Sequence, residues 1–356
     1  MCLYPRLGIN PKYKTNSKNG GVIASVSDSR ILYVPWSCGE CIECRKQKAR
    51  DWKVRLLEDI RWHKNGQFVT LTMSNEEYKK LYDICENKEN KTEGYDRDNE
   101  IATLAVKRFR ERWRKETGKS PRHWLVTELG HKGTENIHLH GVIWTNEHKL
   151  ISKHWKYGWV WDGYSKNGQR LNYVNEKTIG YTVKYIHKQD LQHKGYKSIV
   201  LTSAGIGKNY IKSSAAERNR FRGNDTIETY KMRNGYEIAM PKYLREKLYT
   251  EEEREKLWIK KLDEQVRYVL GQKIDVSKNM DEYKAMLEIA RRTSKEMGYK
   301  TKEDKERWKY YENQIRKIAQ ETRLKKAVEY RDWETDRKST RLNSSHSGES
   351  RMPSSA

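Results

Sequence analysis

The sequence predicts an α+β fold with an antiparallel sheet, followed by a helical C-terminal region. Three segments in which apolar and polar residues alternate indicate strands, and they are Gln67–Met73, Trp124–Leu129 and Ile137–Trp144. The last two are joined by the short polar segment 130–136, so they should pair as an antiparallel hairpin. Segments with apolar residues at helical spacing precede, separate and follow these strands.

Four helices are predicted around the strands. The third has Phe109 and Trp113 on one apolar face and should end at Gly118, because glycine readily adopts the conformation that terminates a helix. The second is short and lies within a charged insertion, residues 75–99. In chain order the four predicted helices are 49–60, 78–84, 101–116 and 176–188.

The region after these elements has a different pattern. Asn234-Gly235 is a two-residue turn signal that predicts a further hairpin. From Thr250 to Tyr330 the pattern is almost wholly helical, and breaks near Gly271 and Gly298 should divide it into about three helices. Thr250 also begins a capping-box pattern that favours the start of a helix.

Charge indicates the kind of partner. The 356 residues include 73 Lys and Arg against 49 Asp and Glu, a formal net charge of +24. Such an excess favours a polyanion, and with 12 Trp and 23 Tyr available for stacking we expect a nucleic acid. The alternative is a basic surface without a specific partner, because many lysines alternate with glutamates on solvated helix faces.

The sequence also suggests a cellular compartment. It contains no run of about 18 apolar residues, and the N-terminus lacks the apolar stretch of a signal peptide. We therefore expect an intracellular protein. Its five cysteines fit a reducing compartment better than a disulfide framework, since three of them are crowded together.

A pair of histidines suggests a metal site. His138 and His140 are two apart on a predicted strand, so their imidazoles should project from the same face. Glu128, near the end of the preceding strand, can lie across from them if the hairpin register permits, whereas Glu135 lies in the turn and is the less favoured ligand. Two imidazoles and a carboxylate suit Mg²⁺ or Mn²⁺. The alternative is that these are ordinary surface histidines.

A tandem Tyr-x-x-Lys pattern suggests a nucleophile. Tyr181 and Tyr185 are one helical turn apart, as are Lys184 and Lys188. A phenol with a pKa of about 10 needs a metal-activated phosphate and a nearby ammonium to attack at neutral pH. The alternative interpretation is that both tyrosines are core aromatics of an amphipathic helix.

The cysteine cluster allows three interpretations. Cys38-x-x-Cys41-x-x-Cys44 together with Cys2 could complete a four-thiolate zinc site, because the intervening segment is long enough to loop back. Inert free thiols are the second interpretation. An iron-sulfur cluster is the third, although the usual fourth spacing is missing.

Taken in order, these motifs resemble those of HUH endonucleases. They are FVTLTM from Phe68, Glu-Leu-Gly from Glu128, the His-Leu-His triplet and the tandem Tyr-x-x-Lys. The pattern is most similar to rolling-circle replication initiators of microviruses, especially gokushoviruses, because a Met-Cys-x-x-Pro start and the cysteine segment before an Ala-Arg-x-Trp helix also occur. The resemblance covers roughly residues 1–245.

The resemblance implies a central antiparallel sheet that carries the histidines, with flanking helices and the tyrosine hydroxyls facing the metal. It implies a sequence-specific endonuclease and ligase that nicks single-stranded origin DNA, forms a 5′-phosphotyrosine and later closes the circle. An HUH transposase or relaxase and a non-enzymatic, cysteine-rich DNA-binding regulator remain alternatives. Either tyrosine could act first, with a slight preference for Tyr185 beside Lys188. Host polymerase would extend the nicked strand, and host helicase would open the duplex because no phosphate-loop pattern is present at SAGIGKNY.

The predicted domain organisation has four parts. Residues 1–60 form a cysteine-rich segment and helix, 61–245 the nicking domain and 246–330 the helical region, whose basic faces could grip DNA or a protein or could serve as a scaffold. Residues 331–356 change abruptly to Ser, Arg and Asn without periodicity, which predicts a non-native junction; a disordered native tail is the alternative.

Overall fold

The computed structural model describes residues 1–346 apart from residues 18, 132–134, 166 and 172. The strands in this part of the chain are β1 (Arg6–Ile9), β2 (Tyr33–Trp36), β3 (Gly66–Leu71), β4 (Arg122–Leu129), β5 (Ile137–Trp144), β6 (Val160–Trp161), β7 (Val200–Thr202), β8 (Thr229–Lys231), β9 (Glu237–Ala239), β10 (Val266–Val269) and β11 (Gln272–Asp275).

Helices make up most of the remaining regular structure. They are α1 (Ile42–Trp62), α2 (Asn75–Glu86), α3 (Gly94–Thr117), α4 (Lys149–His154), α5 (Glu176–His187), α6 (Lys242–Leu248), α7 (Glu251–Asp263), α8 (Met280–Glu296) and α9 (Lys302–His346). None of the helices in the described ranges combines the length and the apolar character needed to cross a bilayer.

Five strands form the central sheet, in the order β6-β3-β5-β4-β7. Every neighbouring pair is antiparallel, and β4 and β5 form the predicted hairpin over their full length. With helices on both faces and a mainly helical C-terminal region, this arrangement confirms the predicted α+β fold with a central antiparallel sheet.

The two faces of the sheet have separate cores. On one face Leu125, Leu139 and Ile143 pack against α2 and α3. On the other face Trp124 and Val142 pack with residues of α1 and α5. Because successive residues of a strand point to opposite faces, the even-numbered residues of β5, including His138 and His140, lie on the face that α1 and α5 cover.

The last helix packs back against the first face of the sheet. Leu324 joins the core there, and the carbonyl of Asn313 lies so close to Gly94 that a Cβ atom would not fit. Gly94 also has a φ of +54°, which favours glycine. In the same interface the buried Arg316 pairs with the buried Asp98 at 2.9 Å. The C-terminal region is therefore docked on the sheet domain through apolar and ionic contacts.

One prediction for the C-terminal region was wrong. Gly271 does not separate two helices but closes the hairpin of β10 and β11, in which Val269 pairs with Gln272. Leu270 and Gly271 have φ values of +49° and +89°, the conformation that a tight two-residue hairpin turn requires. The alternation in this short segment was outweighed by the helical pattern on either side of it.

The other elements agree with the predictions, and the helices are longer than expected. The hairpin at Asn234-Gly235 forms between β8 and β9, and Thr250 makes the predicted capping box at the start of α7. The last helix continues into the segment that was set apart as a tail, up to His346, and residues 347–356 lie outside the described residues. The domain boundaries and the non-native origin of the tail stay predictions.

Candidate active site

The register of the central hairpin brings Glu128 beside the histidine pair. Glu128 of β4 lies directly opposite His138 of β5, so the two side chains share a face of the sheet. Its Oε2 atom lies 3.1 Å from Nε2 of His140, and the other ring nitrogen of His140 lies 3.1 Å from the hydroxyl of Thr70 on β3. Contacts on both sides of its ring therefore hold His140 in place.

Electrostatics favour the protonation states that a cation needs. Burial raises the pKa of Glu128, but its contacts with His140 and Lys188 lower it more, so the net shift is downward. Burial, with the nearby His140, lowers the pKa of His138. At neutral pH the site therefore presents a carboxylate and a neutral imidazole, which are the forms that bind a divalent metal.

The three side chains do not form a closed ligand cage. The rings of His138 and His140 are parallel, with centroids 6.5 Å apart. Among the described residues, two other groups have ligand atoms that all lie within 4.8 Å of one another, and the set of His138, His140 and Glu128 is not one of these groups. The nitrogen and oxygen donors fit Mg²⁺ or Mn²⁺ chemically, but at least one of the side chains must rotate to bind one ion together.

The tyrosine helix covers the same face of the sheet. The side chain of Asn175 accepts hydrogen bonds from the first backbone N–H groups of α5, and Ile179, Val183 and Ile186 of this helix are buried in the core below it. This packing places Tyr185 over the histidine pair. Its ring is stacked on His140, with 4.6 Å between centroids and 5° between planes.

The two phenols contact each other. The hydroxyl of Tyr185 donates a hydrogen bond to the hydroxyl of Tyr181, at 2.6 Å. Tyr181 is 52% exposed and its ring packs edge-on against Phe68 of β3. Burial, the hydrogen bond with Tyr181 and the charge of Glu128 together raise the pKa of Tyr185. A free phenolate at this position therefore requires an added positive charge.

The two lysines of the motif differ in their surroundings. Nζ of Lys188, at the end of α5, lies 3.4 Å from Oε1 of Glu128. Lys184 is exposed, and its ammonium forms no ion pair with any residue in the described ranges. The fold therefore brings Lys188, Glu128, His140 and Tyr185 together. Glu135, the less favoured ligand, contacts Arg316 and His193 instead.

The four N-terminal cysteines form a separate cluster. Their sulfur atoms all lie within 4.8 Å of one another, and those of Cys38 and Cys44 are 3.8 Å apart. Backbone N–H groups point at the sulfurs, for example from Cys38 to Cys2 at 3.2 Å. Hydrogen bonds from the neighbouring thiols lower the pKa of Cys38 strongly. The cluster therefore has the donor set and outer hydrogen bonds of a thiolate metal site.

The cysteine cluster also joins distant parts of the chain. It shares a small core with Val269 and Ile274 of the β10–β11 hairpin and with Ala290 of α8. An ion bound there would crosslink the start of α1 and the N-terminus, against which the C-terminal region packs.

A third group was not found from the sequence. His131, Asp190 and His193 offer ligand atoms that all lie within 4.8 Å of one another. His131 follows β4 and the other two follow α5, so only the packing of α5 on the sheet brings them together. The single local signal is the spacing of Asp190 and His193, which by itself is common in turns.

Comparison with known families gives one match. Residues 66–190 match a family model of replication-associated proteins of the ORF2 type. The matched segment runs from β3 past the end of α5, so it contains Glu128, both histidines of the pair and both tyrosines. This part of the chain is similar to replication-associated proteins and is consistent with a rolling-circle replication initiator. No curated protein and no solved structure matched the chain.

Proposed function

We propose that this protein starts rolling-circle replication of a small, virus-like DNA by nicking one strand through a tyrosine. The observation that carries the proposal is the stacking of Tyr185 on His140, beside Glu128. It puts phenols, imidazoles and a carboxylate on one face of the sheet. The match of residues 66–190 to replication-associated proteins supports the same assignment.

A divalent ion, Mg²⁺ or Mn²⁺, would be held by His138, His140 and Glu128. When bound it withdraws charge from the scissile phosphate and offsets the negative charge that Glu128 places near Tyr185. Glu128 is the acceptor of both the His140 contact and the Lys188 contact, so it also positions the lysine. Lys188 then favours the phenolate and the charge that develops on the phosphate.

The covalent step conserves the phosphate ester. The phenolate oxygen of one tyrosine attacks the phosphorus, the bond from phosphorus to the 3′ oxygen breaks, and that oxygen takes up a proton. The products are a 5′-phosphotyrosine and a free 3′-hydroxyl. No further reactant is needed, because one phosphodiester is exchanged for another.

Two tyrosines allow the circle to be closed. The hydrogen bond between Tyr185 and Tyr181 supports this role, because two hydroxyls in contact can reach the same phosphate in turn. After one round the second tyrosine cleaves the regenerated origin, and the released 3′-hydroxyl attacks the first phosphotyrosine. That attack restores the DNA phosphodiester and frees the first tyrosine.

The DNA would be held as a single strand. The net charge of +24 favours binding to phosphates, and aromatic rings beside the site offer stacking surfaces. Trp161 and Tyr181 both pack edge-on against Phe68, at 5.6 and 6.2 Å. Extension and duplex opening would fall to a host polymerase and a host helicase.

The cysteine cluster would hold a structural zinc ion. Four thiolates are the ligand set of closed structural sites, which stabilise a fold without reacting. The cluster is buried against the C-terminal hairpin and is far along the chain from the tyrosines. The proposed ion would therefore act on stability and not on the nicking step.

A cleavage assay tests the nicking proposal. Labelled single-stranded oligonucleotides that tile the candidate origin would be incubated with Mn²⁺ and the wild-type protein, Tyr181→Phe, Tyr185→Phe or the double variant. We expect a denaturant-stable DNA adduct with the wild type and none with the double variant. Tyr236→Phe is the matched control, because Tyr236 is 68% exposed and lies in the β8–β9 hairpin.

Two results would contradict the proposal. An adduct that persists in the double variant would exclude these tyrosines as the nucleophiles. DNA that is bound but never cut, with any divalent metal, would favour a DNA-binding regulator.

A further inference from the structure

The third ligand group lies next to the tyrosines but outside the proposed nicking centre. Oδ2 of Asp190 is 2.8 Å from Nδ1 of His193 and 3.5 Å from Nε2 of His131. His131 is two residues beyond β4, and Asp190 follows the end of α5 by three residues. His131 and Asp190 also line the cleft that contains Glu128, Tyr185 and Lys188.

The spacing of these atoms suits a metal ion. Bonds of about 2.0 to 2.1 Å from zinc to nitrogen or oxygen in a tetrahedral site place neighbouring ligand atoms about 3.3 Å apart. The contacts of Asp190 are close to this value on both sides. Two imidazoles and one carboxylate form a donor set that Zn²⁺ and related divalent transition metals accept, with a position left for water.

The carboxylate is already oriented. Oδ1 of Asp190 accepts the backbone N–H groups of Gln192 and His193, at 3.0 and 2.9 Å. This leaves Oδ2 to face the two imidazoles. Burial raises the pKa of Asp190, but its contacts with His193 lower it more, so the group is ionised at neutral pH.

His193 has the outer partner that metal-bound histidines commonly have. Its Nε2 atom is buried without a hydrogen-bond partner, and a carboxylate oxygen of Glu135 lies 3.4 Å away. Arg316, which is itself 2% exposed, holds that oxygen at 2.8 Å. A small movement would let Nε2–H donate to Glu135 while Nδ1 faces the ion, which is the arrangement that fixes a ligating imidazole.

We propose that His131, Asp190 and His193 bind one divalent transition-metal ion, of which zinc is the prototype, at a site distinct from His138 and His140. The ion joins the segment after β4 to the segment after the tyrosine helix. His131 is three residues beyond Glu128, and Asp190 is two residues beyond Lys188. If the proposed nicking function holds, this ion fixes the distance between the tyrosine helix and the catalytic carboxylate.

Zinc binding tests the site without relying on cleavage. Full-length protein, with its cysteine cluster already loaded, would be titrated with ZnCl₂ by calorimetry, and bound zinc would be counted after equilibrium dialysis. The variants are His131→Gln, His140→Ala and the control His63→Ala, whose imidazole lies outside both groups. The His131 side chain is 39% exposed, so its replacement should leave the fold intact, and the unfolding temperature without added zinc checks this.

We expect His131→Gln to lose about one zinc equivalent, or to bind it about 100-fold more weakly, and His63→Ala to match the wild type. His140→Ala should keep this equivalent and lose only an ion bound at the histidine pair. Wild-type stoichiometry and affinity in His131→Gln would overturn the proposal, as would loss of the same equivalent in His140→Ala. Because cleavage is not measured, a failure of the nicking proposal would leave this result unchanged.

Discussion

The aromatic ring of Tyr185 lies parallel to the imidazole of His140, with 4.6 Å between their centroids. The two residues come from different elements, α5 and β5, which are 45 positions apart in the chain. Their contact puts the tyrosine helix over the histidine pair and not on the opposite face of the sheet. The proposed chemistry depends on this arrangement, and most of the following predictions do too.

The two tyrosines should not be equivalent. We expect Tyr185→Phe to slow the first cleavage at least about 10-fold more than Tyr181→Phe, because Tyr185 contacts His140 and lies closer to Lys188 and Glu128. Both single variants should still form an adduct but should fail to release closed circles. Single-turnover cleavage and circle formation on an origin-containing strand measure the two steps. Equal cleavage rates in the two variants would remove the preference for Tyr185.

The two lysines of α5 provide a matched pair. Lys188→Ala should lower the cleavage rate roughly 10-fold to 100-fold, because it removes the ammonium that contacts Glu128, whereas Lys184→Ala should change it little. Lys188→Arg should recover part of the rate. The assay is single-turnover cleavage at saturating DNA, so that weaker binding does not contribute. An effect of Lys184→Ala as large as that of Lys188→Ala would contradict the assignment.

Zinc content should follow the cysteine cluster. Cys38→Ser should reduce bound zinc from about one ion per chain at this site and lower the unfolding temperature, because a structural zinc stabilises the fold that supplies its ligands. Cys85→Ala is the control, since Cys85 is buried in the sheet core and not near the other cysteines. Elemental analysis and thermal unfolding measure both effects. Unchanged zinc content in Cys38→Ser would favour inert thiols.

The ion pair beneath the last helix should be important for stability. Arg316→Met leaves the buried carboxylate of Asp98 without its partner and should cost about 3 to 5 kcal/mol of unfolding free energy. Lys317→Met, one residue further on, removes a solvent-accessible pair with Glu93 and should cost less than about 1 kcal/mol. Urea unfolding gives both values. Similar losses for the two variants would mean that α9 is not docked as described.

A buried histidine on β4 should make stability depend on pH. Burial lowers the pKa of His123 to about 4, from an ordinary value of 6.5. Because the unfolded chain takes up the proton more readily, stability is complete above pH 6.5 and falls as the pH is lowered towards about 4. At about 1.4 kcal/mol per pKa unit, the loss approaches about 3 kcal/mol across this window.

Urea unfolding between pH 7 and 4 would measure this loss. His123→Gln should flatten the dependence, since glutamine does not titrate. The control His63→Gln, at a partly exposed position after α1, should retain the wild-type slope. A slope in His123→Gln equal to that of the wild type would assign the effect to other groups.

Local pattern was enough for much of the sheet and for the chemistry of the site. Strand periodicity places His138 and His140 on one face, and helical spacing places Tyr181 and Tyr185 on one side of α5. The bounds of β5 agree with the prediction at both ends. The failure at residues 266–275 shows the limit of this approach, because a hairpin of two four-residue strands has too few alternations to stand out between helices.

By itself, the sequence determined which residue types occur, in which order, and which of them share a face of their own strand or helix. Only the tertiary structure decided that Glu128 pairs with His138, that α5 covers that face, and that His131 meets Asp190 and His193. The reason is physical: face and spacing follow from backbone geometry over a few residues. The pairing of distant elements depends on how their apolar surfaces pack together, and no local pattern encodes that choice.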